Sequence, residues 1–312
     1  MTITKILYLK LIALFCICTF CKITYVQATE ISPLIGFGQE NFSFEVSEFD
    51  NTKKAIKFEP NIAGVTRLGL NAFGFGLGYS LRNSEKDTKP QNGKTQFTDW
   101  QLGYNAANWG IDTFYQIYEG FFTSNTNSIQ TFPNVIFKHH GFNFRYALED
   151  SEFSVGRITD QADAITQTSH KVYLVTGYSK HEMTTDVSIL QQEHAGANTE
   201  LEDLRSLKAT SVKLGAGGGK YWVSDSRFFI GGLVDYVVTY TNYEYETTTL
   251  LSKTSDTTQS FNIKIGVGYA GEKFRAGISG IADATNLKTT GGALVRPSSN
   301  RFLLYFRYVF DL

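Results

Sequence analysis

Cysteine is scarce in this 312-residue chain, and its placement excludes several kinds of site. The three cysteines, Cys16, Cys18 and Cys21, all lie within the first 28 residues. If that segment is removed, the rest of the chain has no disulfide, no thiolate metal ligand and no cysteine nucleophile. A large exported chain of this kind differs from the small extracellular domains that disulfides hold together.

A long apolar run is also lacking after the first 28 residues, and the mean hydropathy is only −0.17. Both observations exclude a helical membrane protein. Charge of one sign is not in excess either, since 29 basic residues face 30 acidic ones and no basic block occurs. We therefore expect no nucleic-acid partner.

The N-terminus has the layout of a secretory signal peptide. Lys5 precedes an apolar run, and small residues around Val26 and Ala28 suit a signal peptidase. We predict cleavage after Ala28, which divides the chain into a signal peptide (1–28) and a single domain (29–312). An uncleaved membrane anchor is the alternative, although the run is short for a spanning helix.

The last twelve residues, 301–312, show the clearest structural pattern. One set of alternate positions is wholly apolar and mostly aromatic: Phe302, Leu304, Phe306, Tyr308, Phe310 and Leu312. The other set includes Arg301, Arg307 and Asp311. Successive side chains of a strand point to opposite faces, and about 9–11 tilted residues cross a bilayer. This segment is therefore expected to be a membrane-spanning strand with one face against lipid.

Similar alternation recurs along the chain, which is rich in aromatic residues and glycine, with 25 Phe, 17 Tyr and 28 Gly. We predict an all-β fold, a closed antiparallel transmembrane β-barrel with an even count of about 12–14 strands. A soluble β-sandwich or a periplasmic barrel also alternates, but it hides its apolar face inside the protein.

Some stretches are harder to assign. Residues around Phe42 are expected to form a first strand, and the polar residues 51–57 a loop. A tight turn at 148–151 is expected to lead into a strand at 153–155, and Val187 and Ile189 could mark a further short strand. The glycine-rich residues 215–219 are expected to form a hairpin turn rather than a phosphate-binding loop, because Tyr221 follows Lys220 where such a loop needs Ser or Thr.

Several motifs resemble an uncharacterised family of bacterial outer-membrane barrel proteins, defined as a domain of unknown function. The most distinctive is WGIDTFYQ at 109–116. The other matching stretches are 58–61, 68–70, 74–77, 119–121, 142–146 and 152–154. The resemblance covers most of the domain, is loose after residue 180, and implies an outer-membrane barrel. It implies no activity and no catalytic residues.

Ten polar residues fall on the predicted inward faces of strands and are the candidate lumen residues. They are Arg67, Asp99, Asp112, Gln116, Arg145, Lys213, Asp235, Lys264, Arg275 and Arg307. In one interpretation they line a water-filled pore and set its selectivity. In the other, acids and bases pair across a narrow lumen and fill it.

Other chemistry has weak support. Ser169, His170 and His181 are residue types that a hydrolase site uses, but nothing in the sequence indicates that they lie close together in the fold. The neighbours His139 and His140 should point to opposite faces of a strand and therefore make a poor metal pair. We predict no catalytic residues, no metal and no cofactor.

The functional prediction is a passive channel or transporter for small solutes, located in the bacterial outer membrane. An alternative is a structural or adhesive surface barrel that acts through loops at 84–95, 180–206, 246–257 and 284–299. A lipid-acting enzyme is a third, weaker possibility. The expected partners are outer-membrane lipids and, through residues 301–312, the barrel insertion machinery.

Overall fold

The computed structural model describes residues 30–48, 51–83, 89–106, 108–125, 128–149, 154–160, 165–186, 204–247, 251–286 and 295–311. Strands dominate these residues. They are β1 (Glu30–Glu48), β2 (Asn51–Phe58), β3 (Val65–Ala72), β4 (Phe75–Arg82), β5 (Gln96–Asn105), β6 (Trp109–Asn125), β7 (Ser128–Ala147), β8 (Ser169–Thr184), β9 (Leu204–Val223), β10 (Phe228–Thr247), β11 (Leu251–Ala270), β12 (Phe274–Asn286), β13 (Val295–Tyr308) and β14 (Phe310–Asp311). A short helix, α1 (Val155–Thr159), and a 3₁₀ turn (Pro90–Asn92) complete the described elements.

Twelve of these strands, β1 and β3–β13, form one closed antiparallel barrel. The last strand returns to the first, with Arg301 opposite Glu40, so the sheet has no open edge at this seam. β14 follows β13 and pairs with the first residues of β1. β2 is not one of the twelve barrel strands; it pairs with the last residues of β1. The closed barrel and its even strand number confirm the predicted fold class.

The two ends of the barrel differ. Both ends of the described chain, Glu30 and Asp311, lie at the end where the short connections 73–74, 224–227 and 271–273 are found. We call this the turn end and the opposite one the loop end. β7 and β9–β11 each have 20 residues, whereas β3 and β4 have 8. The wall of the barrel is therefore much taller on one side.

The outer surface carries an apolar band. In the final strand Phe302, Leu304 and Phe306 are exposed, whereas Leu303 and Tyr305 are buried in the interior. The same alternation places apolar side chains of the other barrel strands outward, as lipid contact requires. We call this belt of outward apolar side chains the membrane band. Of the helical residues described, none forms a segment long and apolar enough to cross a membrane.

The expectation of a loop at 51–57 is wrong. These residues belong to β2, which pairs with the loop-end part of β1, with Val46 opposite Ile56. Ile56 and Phe58 pack against apolar residues of the interior, and this packing stabilises the strand despite its polar sequence. A bridge between Glu59 and Phe122 joins the end of β2 to β6. β2 thus spans the gap above the short strands β3–β5.

The expected strand at 153–155 is also wrong for the residues that the structure describes, Ser154 and Val155. Ser154 caps α1 by accepting a hydrogen bond from the Arg157 amide at 3.3 Å, and Val155 begins the helix. Val155 packs against an apolar cluster inside the barrel, and Phe153 lies outside the described residues. Residues Val187 and Ile189 lie outside the described part of the chain, and β8 pairs directly with β9.

The glycine-rich residues 215–219 form no turn, because they lie within β9. A side chain at Gly217 would place its Cβ 2.2 Å from Asp235 Oδ1 and 2.6 Å from a ring carbon of Tyr173. The glycine therefore makes room for these inward side chains. The proposed surface loop at 246–257 is likewise mostly strand, since β10 ends at Thr247 and β11 begins at Leu251.

Candidate functional site

All ten candidate lumen residues lie on the inward side of their strands. Six of them border one cavity in the barrel interior: Arg67, Asp112, Gln116, Arg145, Lys213 and Lys264. The other four, Asp99, Asp235, Arg275 and Arg307, are buried behind or beside it. The structure divides most of the ten among three groups of polar contacts.

The first group lies on β1 and β3–β6. The Arg67 guanidinium approaches Asp99 at 3.7 Å and donates a 2.8 Å hydrogen bond to Gln101 Oε1. Gln116 Nε2 joins the group by donating to Asp99 Oδ1 at 3.3 Å and to Glu40 Oε1 at 3.2 Å. Asp99 and Arg67 compensate each other's charge in the barrel interior, where an isolated buried charge would be costly.

The second group is centred on Arg145 of β7. Its guanidinium contacts Asp112 at 2.5 Å and Asp235 at 3.5 Å. The hydroxyl of Tyr173 donates a 2.6 Å hydrogen bond to Asp235. The room that Gly217 leaves is occupied by Asp235 and Tyr173.

The third group holds a segment inside the barrel at the turn end. We call residues 154–160, which include α1, the plug. Arg307 donates to the Asp160 carbonyl at 3.0 Å and to Ser32 at 2.7 and 2.9 Å. Arg157 donates to the Tyr221 hydroxyl at 2.9 Å. Beside the plug, Arg275 donates to Glu30 at 2.9 Å.

Apolar contacts also hold the plug in place. Ile158 is fully buried and belongs to a cluster with Tyr221, Phe229 and Leu233 of the barrel wall. Gly266 is needed at this contact, because a Cβ there would lie 2.0 Å from the Ile158 carbonyl oxygen. The plug thus fits a slot in the wall formed by β9–β12.

The loop end is filled differently, by an aromatic core. Phe44 stacks on Phe58 and on Phe137, with ring centroids 4.8 Å apart in both pairs. The core contains residues of β1, β2 and β6–β10: Phe42, Phe44, Val46, Phe58, Tyr118, Phe121, Phe132, Val135, Phe137, Met183, Leu204, Leu207, Ala209, Tyr243 and Tyr245. This core fills the tall side of the barrel beyond the polar groups.

Between the plug and the aromatic core lies a cavity of about 390 Å³, which we call the chamber. The plug contributes Val155 and Asp160 to its lining, and the aromatic core contributes Phe42 and Tyr243. Its side wall on β10, β11 and β13 is rich in hydroxyl groups: Thr239, Thr241, Thr258, Ser260 and Ser299. The chamber is therefore polar around its sides, mixed at the plug and aromatic at the loop end.

Sequence reasoning missed several residues of the chamber. Glu40 is buried and accepts from Gln116, yet it precedes the apolar positions Phe42 and Phe44 on the same face of β1. That switch from a polar to an apolar inward residue was the available signal. His139 and His181 were also missed as a pair; their rings stack with centroids 4.1 Å apart, and both line the chamber.

The hydrolase ingredients are not brought together. His170 is exposed and lies 3.9 Å from Glu149, whereas His181 is buried in the chamber wall, where its Nε2 is 3.4 Å from Ser179 Oγ. His139 and His140 point to opposite sides, as expected, since only His139 lines the chamber. In the described ranges, no three His, Cys, Asp or Glu side chains are grouped to hold a metal ion.

The fold and the chamber define a transmembrane β-barrel with an internal plug. Within that class, the chain belongs to the family described as a domain of unknown function (DUF4421), whose model matches residues 30–310. This membership confirms the resemblance drawn from the sequence motifs. No curated protein gives a match to the chain.

Several solved structures of outer-membrane proteins are distantly similar to this chain. The outer membrane protease OmpT from Escherichia coli is 8% identical, covers 93% of this chain and 99% of its own, and gives a TM-score of 0.44. An outer membrane channel from Pseudomonas putida F1 is 11% identical, with coverages of 93% and 98% and a TM-score of 0.39. The β domain of the Bordetella autotransporter BrkA is 13% identical, with coverages of 90% and 99% and a TM-score of 0.41. Likenesses this distant identify no activity.

Proposed function

We propose that this protein is an outer-membrane transporter for small solutes whose passage requires the plug to move. The observation that carries the proposal is the position of the chamber, which lies between the plug and the aromatic core inside a closed barrel. A permanently open pore would leave the plug segment no role. Short turns of such barrels face the periplasm, so the plug would close the periplasmic side.

The plug is suited to movement because it is short and belongs to no strand of the barrel wall. α1 has five residues, and contacts of the described plug with the wall include those of Ile158, of Arg157 with Tyr221, and of Asp160 with Arg307. A segment outside the backbone hydrogen-bond ladder of the strands can open locally at lower free-energy cost than the strands themselves. Displacing the plug would join the chamber to the periplasmic side and leave the barrel wall intact. At the loop end the path would run beside the aromatic core, along β11 and β13, whose residues Thr258 and Ser299 line the chamber and do not belong to that core.

Single-channel recording in planar bilayers tests this function. The refolded wild-type protein should conduct only in rare, brief openings. Ile158→Asp should increase the open fraction markedly, because a carboxylate in the apolar slot is costly without a partner. Glu272→Ala is the control, since that exposed side chain at the turn end lies away from the plug. Steady wild-type conductance equal to that of the variant would show that the plug is no gate, and a folded Ile158→Asp barrel without openings would refute transport.

Outer-membrane location and contact with the barrel insertion machinery belong to the same proposal. Residues 301–312 include most of the strand that closes the barrel against β1, and their outward face is aromatic. Removing these residues should abolish insertion, since both edges of the seam would be left open in lipid. Membrane fractionation of cells, with deletion of residues 287–294 as the control, measures this. Normal insertion of the truncated chain would contradict the assignment.

A surface scaffold that acts through its loops is the second candidate function. The observation that favours it is the tall wall, whose 20-residue strands exceed the 9–11 residues needed to span a bilayer. The wall would raise the loop end well above the membrane. Deletion of residues 187–203 should then abolish partner binding without loss of the assembled barrel; unchanged binding by every loop deletion would exclude this role.

A further inference from the structure

We infer that the chamber binds an uncharged, polyhydroxylated molecule of about the size of a sugar. This inference deepens the proposed transport function by naming its substrate class, and it rests on that function for the path the molecule takes. Three independent features of the chamber support it: its balanced charge, its hydroxyl wall, and a set of buried polar atoms without hydrogen-bond partners.

The charges of the chamber are largely compensated within the protein. Arg67 faces Asp99, and Arg145 is held between Asp112 and Asp235. Counting the buried ion-pair partners Asp99, Asp235 and Arg307 with the lining, six basic side chains face five acidic ones, so the net charge is small: Arg67, Arg145, Lys213, Lys264, Arg301 and Arg307 against Glu40, Asp99, Asp112, Asp160 and Asp235. An anionic or cationic solute would therefore gain little net attraction on entering.

The hydroxyl wall offers both hydrogen-bond donors and acceptors. Each hydroxyl group can donate one hydrogen bond and accept two, and its proton rotates to suit its partner. Thr239 and Thr241 of β10 point inward, and their strand neighbours Val238 and Tyr240 point outward. Thr258 and Ser260 of the neighbouring strand β11 also point inward and line the chamber. A ligand with many hydroxyl groups matches such a wall at any of several positions.

Among the residues that the structure describes, four atoms bordering the chamber are buried without a hydrogen-bond partner. They are Glu40 Oε2, Asn143 Oδ1, His181 Nδ1 and the Arg301 Nε. A buried polar group without a partner costs about 1–3 kcal/mol, so an occupant that supplies donors and acceptors is favoured. Glu40 is the strongest indication, because its side chain is 95% buried while its other oxygen already accepts from Gln116.

The aromatic rings beside the chamber and the volume of the chamber also suit a sugar. Phe42 stacks on Tyr118 at 4.4 Å and borders the chamber, as does Tyr243, so that aromatic surface meets the polar walls. Such surface suits the C–H faces of a sugar ring. The volume of about 390 Å³ lies within the range of small-molecule sites and equals roughly a dozen waters at about 30 Å³ each.

The test uses the refolded full domain in detergent micelles and measures saturation-transfer NMR and calorimetric binding. The probes are glucose and sucrose as neutral sugars, glucuronate as an anion and glucosamine as a cation. We expect binding of a neutral sugar that exceeds binding of both charged analogues. Binding of glucuronate or glucosamine in preference to the neutral sugars, or no sugar binding at all, would overturn the inference.

Two variants locate the binding. Thr258→Val removes a chamber hydroxyl and should weaken sugar binding roughly 3–10-fold, the effect of losing one hydrogen bond. Thr176→Val makes the same change on the exposed outer face and should leave the affinity unchanged. Equal weakening by both variants would place the sugar outside the chamber and overturn the inference.

The two proposals fail separately. Sugar binding by a barrel that never conducts, even as Ile158→Asp, would refute transport and retain the chamber as a sugar site. Conductance by Ile158→Asp without sugar binding in any state would retain transport and refute the assigned substrate class.

Discussion

The membrane band and the loop-end extension, the part of the tall wall beyond that band, use the same strands with opposite patterns. In β10 the outward residues change from Val238 and Tyr240 to Asn242 and Glu244, without any shift in register. The inward residues change from a mixed set that includes Asp235, Val237 and Thr241 to the aromatic Tyr243 and Tyr245. The strand continues unchanged, while its outer face becomes polar and its inner face becomes aromatic.

This change shows that the surroundings, rather than the strand, decide which face is apolar. Lipid outside the membrane band favours apolar side chains there and allows a polar interior. Water outside the extension requires polar side chains on the surface and an apolar core, as in soluble proteins. The chamber lies where the two regimes meet, so its polar groups border the aromatic core directly.

The outer surface of the extension carries an ordered row of charges. Five residues on neighbouring strands face each other in register with alternating sign: Lys138, Glu182, Lys208, Glu244 and Lys253. Four residues closer to the turn end, the corresponding outward row on β7–β10 is Phe142, Tyr178, Val212 and Tyr240. The boundary between the two regions therefore lies at one level on β7–β10. On β11 the outward residue opposite Tyr240 is the polar Thr257, and the apolar residues begin nearer the turn end, at Phe261.

The largest effect is expected from Phe44→Ala in the extension core. Phe44 is fully buried among the rings of Phe58 and Phe137, and its removal should leave a cavity. We expect a loss of about 3–5 kcal/mol in the free energy of unfolding, measured by denaturant titration in micelles.

Phe302→Ala tests the contrast with the membrane band. Phe302 is exposed on the outer surface, where acyl chains can fill the vacated space. The loss should be clearly smaller than for Phe44→Ala. Equal losses for the two variants would show that both rings have the same kind of surroundings. The distinction between a lipid-facing band and a buried extension core would then be wrong.

Much of the barrel was predictable because lipid exposure repeats one simple rule along each strand. The final strand and the inward side of Arg145 and Asp235 follow from that alternation. β2 and the plug did not, since Ile56 and Ile158 acquire their partners only from distant strands. Sequence reasoning missed Glu40 and the His139–His181 pair because the pairing register between strands brings these residues to the chamber. That register cannot be deduced from the sequence of a single strand.

Charge insertion should have the next largest effect. Ile265→Arg places a guanidinium in the middle of the apolar outer residues of β11, and a cost of about 2–4 kcal/mol is expected near the bilayer midplane. Asn242→Arg makes a similar addition on the outer face of the extension, where water solvates the charge. Unfolding free energies in lipid vesicles should therefore differ strongly between the two variants. Comparable costs would place both positions in the same solvent.

The smallest effect is expected at the charge row itself. Glu244 and Lys253 are exposed and 2.5 Å apart, and exposed ion pairs of this kind contribute little because water and salt screen them. Glu244→Gln should leave the unfolding free energy within measurement error, and raising the salt concentration should affect both proteins alike. If lipid rather than water surrounded this row, the uncompensated Lys253 would be costly and the variant would be clearly destabilised. The size of this one change therefore tests whether the membrane ends below the charge row.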